Sequence, residues 1–266
     1  MLRQKVLIKG AGEHASGTAH RMFRCGFKVA MTELESPVAV RRAVSFGSAV
    51  FEKEVVVQGV KGVAYDLDEA SFLSSWDFPH VPIFVDPECQ LKDLWKPDVI
   101  IDGRILKKNL DNSIEDAALV IGFGPGLVAG KDVQFVVETK RGHDLGKIIS
   151  QGSASKNTGI PGPIGGQTKD RAIRSPLAGI LESERKIGDM VEKGDLFGVV
   201  EGQEIKAAIS GVIRGQLFPG SKVIAGQKLG DIDPRGDVSF CYSISDKART
   251  ISGAALEIVV SFFNRR

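Results

Sequence analysis

Short apolar runs alternate with amphipathic stretches from the start of the chain, and turn residues separate them. Lys5-Val-Leu-Ile8 reads as a buried strand and Gly10-Ala-Gly12 as the turn behind it. Ala15 to Cys25 then reads as a helix closed by Gly26. Phe27 to Glu33 follows as a second strand ending in an acid. After Pro37 a short helical run leads to Val55-Val-Val57 and Val63-Ala-Tyr65, two strands divided by a turn at Gly59. Asp68 caps a predicted helix running into Trp76. Val81 to Val85 is a strand stopped by Asp86-Pro87, Leu91 to Trp95 a short helix, and Asp98 to Asp102 a strand with a carboxylate at its end. Ala117 to Phe123 and Val133 to Val137 supply two more strands, and Ser245 caps a predicted helix from Asp246 to about Phe263 with Ala248, Ile251, Ala255, Ile258 and Val259 on one face.

Alternation of β-branched runs with short helices predicts an α/β fold, a Rossmann-like, mainly parallel sheet domain over residues 1–171. Residues 152–167 are too rich in Gly, Pro and Ser for a helix or sheet interior; they read as a linker, or as a lid offering Asn157, Thr158 and Gly159 as donors. An internal repeat follows. Gly179, Gly188, Val191, Gly194 and Gly198 recur thirty-two residues later as Gly211, Gly220, Val223, Gly226 and Gly230. Each copy reads as strand, glycine turn, strand, and neither can bury an apolar face alone. This pattern resembles the biotinyl/lipoyl (hammerhead) carrier fold, which implies an inserted or appended small β-barrel over 172–234. The carrier lysine is missing, because Glu201-Gly-Gln-Glu204 stands at the hairpin between the halves, so no biotin or lipoyl attachment is expected. Residues 235–266 are expected to pack back on the α/β domain as a strand and a helix.

A hydrophobic content of 42% with 26% charged residues is that of a globular chain, and a net charge of +2 supplies no global field for nucleic acid or a membrane surface. Neither is expected as a partner. Cys25, Cys89 and Cys241 lie far apart without a CxxC pair, which argues against a disulfide framework or a structural metal. No run reaches the roughly 18 to 20 apolar residues of a membrane span, and no leader pattern precedes the first strand. A cytoplasmic location is expected.

Two glycine-rich turns carry the candidate chemistry. Gly10-x-Gly12-x-x-Ala15, opening a helix one residue pair before Gly17, has the mechanics of a dinucleotide turn, with Glu33 placed for a ribose hydroxyl. Two glycines at such a turn also serve close packing alone. The second stretch runs from Gly124 through Gly126 to Gly130, Lys131 and Asp132, and on to Glu138, Arg141, His143 and Asp144. Glycine lets backbone approach a ligand, and α/β proteins place ligands at strand ends. Arg41, Arg42, Lys131, Arg141 and Arg249 are candidate phosphate contacts, and Lys247, Arg249 and Arg235 are expected either to complete an anion pocket with the 124–130 loop or to serve helix capping alone. Candidates for chemistry are His143 or Asp144 as acid/base groups, Lys247, and Cys241 as a thiolate carrier, although a buried structural thiol is the default for the last.

Five segments in order, Ala15-Ser-Gly-Thr-Ala-His-Arg, Gly124-Pro-Gly-Leu-Val-Ala-Gly-Lys-Asp, Glu138-Thr-Lys-Arg-Gly-His-Asp-Leu-Gly, Asn157-Thr-Gly-Ile-Pro-Gly and Gly230-Asp-Ile-Asp-Pro-Arg-Gly with Ser245-Asp-Lys-Ala-Arg, resemble the selenium-dependent molybdenum hydroxylase system protein, YqeB family. The resemblance runs almost end to end. It implies an accessory role in maturing molybdenum hydroxylases of the xanthine dehydrogenase type, with kinship to cofactor-insertion and sulfuration chaperones. The partner it implies is a molybdenum hydroxylase apo-enzyme, and the ligand molybdopterin or its dinucleotide form, a phosphate-containing small molecule. The alternative reading is an NAD(P)-dependent oxidoreductase using the Gly10 turn and Glu33.

Overall fold

A computed structural model describes residues 4–74, 79–156, 159 and 162–264. The chain divides into two compact units. The first gathers Met1–Pro37, Ser45–Asn157 and Ile244–Arg266; the second gathers Val38–Val44 and Thr158–Ser243. These bounds differ from a division at 171/172 and 234/235: a seven-residue detour belongs with the second unit, and the C-terminal stretch is split at Ile244.

The first unit begins with β1 (Lys5–Lys9), α1 (Glu13–Arg24) and β2 (Lys28–Glu33). It continues with α2 (Ala49–Glu52), β3 (Glu54–Val57), β4 (Val60–Tyr65), β5 (Val81–Val85), α3 (Leu91–Trp95), β6 (Val99–Asp102) and β7 (Leu119–Phe123). Next come β8 (Val128–Ala129), β9 (Phe135–Val137), β10 (Ile148–Ile149) and β11 (Gly152–Ser153). Nine of these strands form one sheet in the order β10-β9-β7-β6-β1-β2-β5-β4-β3. Pairings in the middle are parallel, whereas β3–β4 at one edge and β9–β10 at the other are antiparallel. Leu7, Ile8, Ala30, Met31, Ile83, Phe84, Ile100, Ile101, Val120 and Ile121 are fully buried, so the central strands are covered on both faces. Where the predicted helix reaches Trp76, Leu67–Ser74 is a 3-10 helix and the remainder lies outside the described residues.

The Rossmann-like, mainly parallel description is corrected by this topology. A Rossmann arrangement needs a helical crossover between successive strands, but the chain reverses directly at Gln58 (φ 43°) and Gly59 (φ 84°), which makes β3–β4 a hairpin. It reverses again through Gly142 and Gly146, both at positive φ, to lay β10 against β9. β8 and β11 pair as a separate two-stranded ribbon. The result is a mixed sheet with antiparallel edges.

The second unit holds β12 (Ala172–Arg174), β13 (Gly179–Glu182), β14 (Met190–Val191), β15 (Leu196–Val200), β16 (Gln203–Lys206), β17 (Gly211–Gln216), β18 (Lys222–Val223) and β19 (Lys228–Asp233). They sort into two four-stranded antiparallel sheets, β12-β19-β17-β14 and β16-β15-β13-β18. Ile173, Leu181, Phe197, Val200, Ile213, Leu229 and Ile232, drawn from both sheets, share one core. The expectation of a biotinyl/lipoyl-like barrel is therefore corrected to a pair of open sheets, one of which recruits β12 from ahead of the repeat. The repeat itself is visible in the backbone. Gly179 and Gly211 have φ 159° and 154°, Gly188 and Gly220 102° and 90°, and Gly194 and Gly226 98° and 78°. The copies exchange strands reciprocally: Gly179 pairs with Val223, and Val191 pairs with Gly211. The last helix, α4 (Asp246–Asn264), returns to the first unit. There α1 and α4 pack closely, because a Cβ at Gly17 would lie 3.2 Å from Ala248 Cβ and 3.3 Å from Ile244 Cγ2.

Candidate functional site

In the large sheet β2 lies on one side of β1 and β6 on the other, so the order of connection reverses between β1 and β6. Open α/β sheets hold ligands beyond the carboxyl ends of strands at such a reversal. Here β1 ends in Lys9 and β6 in Asp102, side chains only 2% and 1% exposed. Lys9 Nζ lies 3.0 Å from Asp111 Oδ2 and donates to Asn112 Oδ1 at 3.1 Å. Arg104 donates to Asp102 Oδ2 at 2.7 Å and also ion-pairs with Asp111, while Asn112 Nδ2 donates to Asp102 Oδ2 at 2.7 Å. Two cations and two carboxylates thus neutralise one another, so that the buried Lys9 and Asp102 are each paired with a partner nearer the surface. The Arg104 and Lys9 side chains hold the Asp111 carboxyl below the usual range against the opposing effect of burial, which is the largest single influence.

This network anchors the segment after β6, and that segment fills the glycine turns. A Cβ at Gly10 would lie 2.8 Å from Arg104 Cγ, and one at Gly103 2.7 Å from Ala15 Cβ. At Gly124 it would meet Ile105 Cγ2 at 2.9 Å, and at Gly126 it would overlap the carbonyl of Leu106. Gly130 faces the Gln151 amide at 3.0 Å. The two turns do share the carboxyl edge, with β6 between their strands, but the chain's own residues 104–108 occupy their close approaches. Glu33 is likewise engaged: its Oε2 accepts from the Ala11 N–H at 2.7 Å and its Oε1 from the Leu34 N–H at 2.8 Å. Burial pushes its carboxyl pKa up, partly offset by those amides. Asp132 accepts from the Val128 N–H at 2.9 Å and closes its own turn, and Lys131 is exposed.

A second charged cluster lies around the start of α1. Gly12 is the N-cap residue there without a side-chain cap bond, and nothing lies within 4 Å of where its Cβ would be. Lys247, in the first turn of α4, is half-buried and feels Glu13, Glu138, Arg141 and Asp246. Burial pushes the Lys247 pKa down, and the positive charge of Arg141 adds to the effect. The Asp246 and Glu138 carboxylates are engaged elsewhere. Arg141 grips Asp246 through two bonds of 2.6 and 2.9 Å. Glu138, 3% exposed, accepts from the Lys140 and Ser155 N–H groups, each at 2.7 Å. Among the described residues Lys247 makes no ion pair.

The remaining candidates disperse. Arg41 and Arg42 belong to the second unit. There Arg41 donates to the carbonyls of Phe240 at 3.0 Å and Ser243 at 3.3 Å, and Arg42 donates to the Gln216 carbonyl at 3.0 Å. Cys241 is fully buried, with burial raising its thiol pKa, and its Sγ contacts the Ile213 carbonyl. Arg235 is clamped on Asp233 at 2.6 Å. His143 is exposed, and Asp144 pairs with Lys147 at 3.4 Å. Arg249 is exposed on α4. Reasoning from sequence missed Lys9, Arg104, Asp111 and Asn112. The available signal was a lysine and an aspartate closing two otherwise apolar strands.

The fold and site define a mixed α/β protein with a polar network at the carboxyl edge of its central strands and an antiparallel β unit of its own. No protein-family model matches the chain. It is 45% identical over 263 residues to the uncharacterized protein YqeB of Escherichia coli (strain K12), a match covering 98% of this chain and 48% of that protein. The chain thus spans about half the length of the curated relative it matches. Among solved structures it is similar to the ectoine utilization protein EutE (DoeB) from Ruegeria pomeroyi in its product-bound form, at 13% identity and a TM-score of 0.26, covering 87% of this chain and 85% of that one. A succinylglutamate desuccinylase/aspartoacylase from Rhodobacter sphaeroides matches at 13% and 0.27, with the same coverage. An aspartoacylase family protein from Mesorhizobium loti matches at 10% and 0.28, again over 87% and 85%. At such TM-scores these likenesses carry no argument about chemistry. None of the three is described as a molybdenum-cofactor chaperone or a biotinyl/lipoyl carrier. No described helix is long and apolar enough to cross a membrane.

Proposed function

We propose that this protein is an accessory factor for molybdenum hydroxylases whose first unit holds a phosphate-bearing small molecule at the start of α1, with Lys247 and Arg141 as its cationic contacts. The observation that carries the reading is Lys247, half-buried with its charge disfavoured and lacking an ion pair among the described residues. It stands beside a helix start whose amides favour an anion. Three of the five segments behind the family resemblance meet there: α1, the stretch after β9, and the start of α4. The residues fit a single phosphate group at this point. They do not fit a dinucleotide clasped between both glycine turns, because residues 104–108 fill the second turn. Nor is the Glu33 carboxylate presented for a ribose, which weighs against the nicotinamide alternative.

A bound phosphate restores the lysine's preference for its proton, so binding takes up a proton wherever the free protein has begun to lose it. Calorimetric titration of the purified protein with molybdenum cofactor should show saturable binding, roughly tenfold weaker in Lys247→Ala and largely kept in Lys247→Arg. Unchanged affinity in Lys247→Ala, or no binding by the wild type together with no capture of a molybdenum hydroxylase apo-enzyme, disposes of the proposal.

A further inference from the structure

The second unit contains a cleft of about 560 Å³ lined by Gly159, Lys169, Ala172, Arg174 and Gly226. That size lies within the range of small-molecule sites. Its charge is unbalanced. Lys169 and Arg171 stand on the 3-10 turn Lys169–Arg171 that leads into β12, Arg174 ends that strand, and Lys228 is Arg174's cross-strand neighbour on β19. Against these four cations stand Asp170, Asp231 and Asp233 in the same stretches. Asp233 is paired with Arg214 and Arg235, and Asp231 is paired twice through one oxygen: Arg171 reaches its Oδ1 at 2.5 Å and Lys228 reaches the same atom at 2.9 Å. Lys169 makes no ion pair among the described residues. Arg174 is held at the wall by one bond from Nη1 to the Gly226 carbonyl at 2.8 Å, which orients the guanidinium and leaves its other N–H groups without a hydrogen bond among the described residues. At Gly226 (φ +78°) nothing lies within 4 Å of a would-be Cβ, which leaves room for close approach beside the cations.

We propose that this cleft is a second binding site, for a small phosphate-bearing molecule gripped by Arg174 and Lys169. A guanidinium fork matches phosphate oxygens two at a time, a neighbouring ammonium adds a point charge, and a concave basic wall raises the local concentration of anions. The site lies entirely in the second unit and does not depend on Lys247.

Inorganic pyrophosphate is the probe, titrated by calorimetry against the full chain carrying Lys247→Ala, so that the first unit's cluster binds about tenfold more weakly. Binding should persist in that background and weaken at least tenfold when Lys169→Ala and Arg174→Ala are added. Both side chains are exposed, and far-ultraviolet circular dichroism checks that the fold is kept. Lys169→Ala alone, which removes no side-chain bond seen among the described residues, should weaken binding severalfold. Absence of pyrophosphate binding in the Lys247→Ala protein overturns the proposal, as does equal affinity with and without the two added substitutions. Molybdenum-cofactor binding weakened about tenfold in Lys247→Ala, with pyrophosphate affinity lowered only by Lys169→Ala and Arg174→Ala, would separate this site from the one in the first unit.

Discussion

Lys247 shows how a single side chain can be costly to the fold and still be the group on which a site turns. Its folded pKa lies below that of a free lysine, chiefly from burial and next from Arg141. Below the folded value both states hold the proton, and the folded chain bears the whole desolvation cost. As pH rises through the folded value toward about 10.4, the folded state releases its proton first, so stability increases across that window. Lys247→Met removes the titrating group. Its melting temperature should equal or exceed that of the wild type at neutral pH, and the gap should narrow as pH rises toward 10. A gap that widens with pH would show that the ammonium is stabilised in the fold. Glycines teach a related lesson at the same scale. Gly124 and Gly126 look alike in sequence whether they face a ligand or the chain itself, and only the path of residues 104–108 decides that they face the chain.

Among the elements, β1, α1, β2, β5, β6, β7 and α4 lie where apolar periodicity puts them, because each is long enough for its pattern to outweigh local ambiguity. Pairing direction was not legible. Nothing in Val55-Val-Val57 distinguishes an edge hairpin from a strand returned by a crossover, and β8, β10 and β11 are two residues each, too short to carry a period. The buried network was illegible for another reason: Lys9 and Arg104 become a unit only when β1 and β6 are neighbours. That network ties two strand ends to the following segment, and removing Arg104 would leave the Asp102 carboxylate, 1% exposed, without its ion pair. Lys9→Met should cost roughly 1–2 kcal/mol, because its partner Asp111 is exposed and keeps Arg104 while the Asn112 Oδ1 loses a donor, read from urea midpoints at neutral pH. Its pH dependence follows from Asp111, whose folded pKa is depressed. The stability it contributes is present above the unfolded value of about 3.9 and is lost as pH falls through the folded value. The wild type should therefore lose more stability than Lys9→Met on acidification; parallel acid curves for the two proteins would contradict this.

At the scale of the whole molecule, neither unit is a continuous stretch of chain. The seven residues 38–44 leave the first unit, bond to β17 through the Gln216 N–H to the Val40 carbonyl at 2.6 Å, and are pinned by Arg41 on two carbonyls. The internal repeat was legible in sequence because its glycines recur at a fixed spacing, but this detour carries no comparable mark. Arg41→Ala removes bonds from a side chain only 7% exposed and should destabilise the second unit by about 1–3 kcal/mol. Scanning calorimetry should show the shift chiefly in one of two transitions; an equal shift of both would mean that the units unfold together.

The same detour sets a timetable for biosynthesis. Val40 leaves the ribosome roughly 175 residues ahead of Gln216, so at about 5–20 residues per second it waits roughly 9–35 seconds for its hydrogen-bond partner. Throughout that interval Val38, Val40 and the two arginines hang from a half-made polypeptide, and newly translated molecules are at their most vulnerable to proteases and to mispairing with one another.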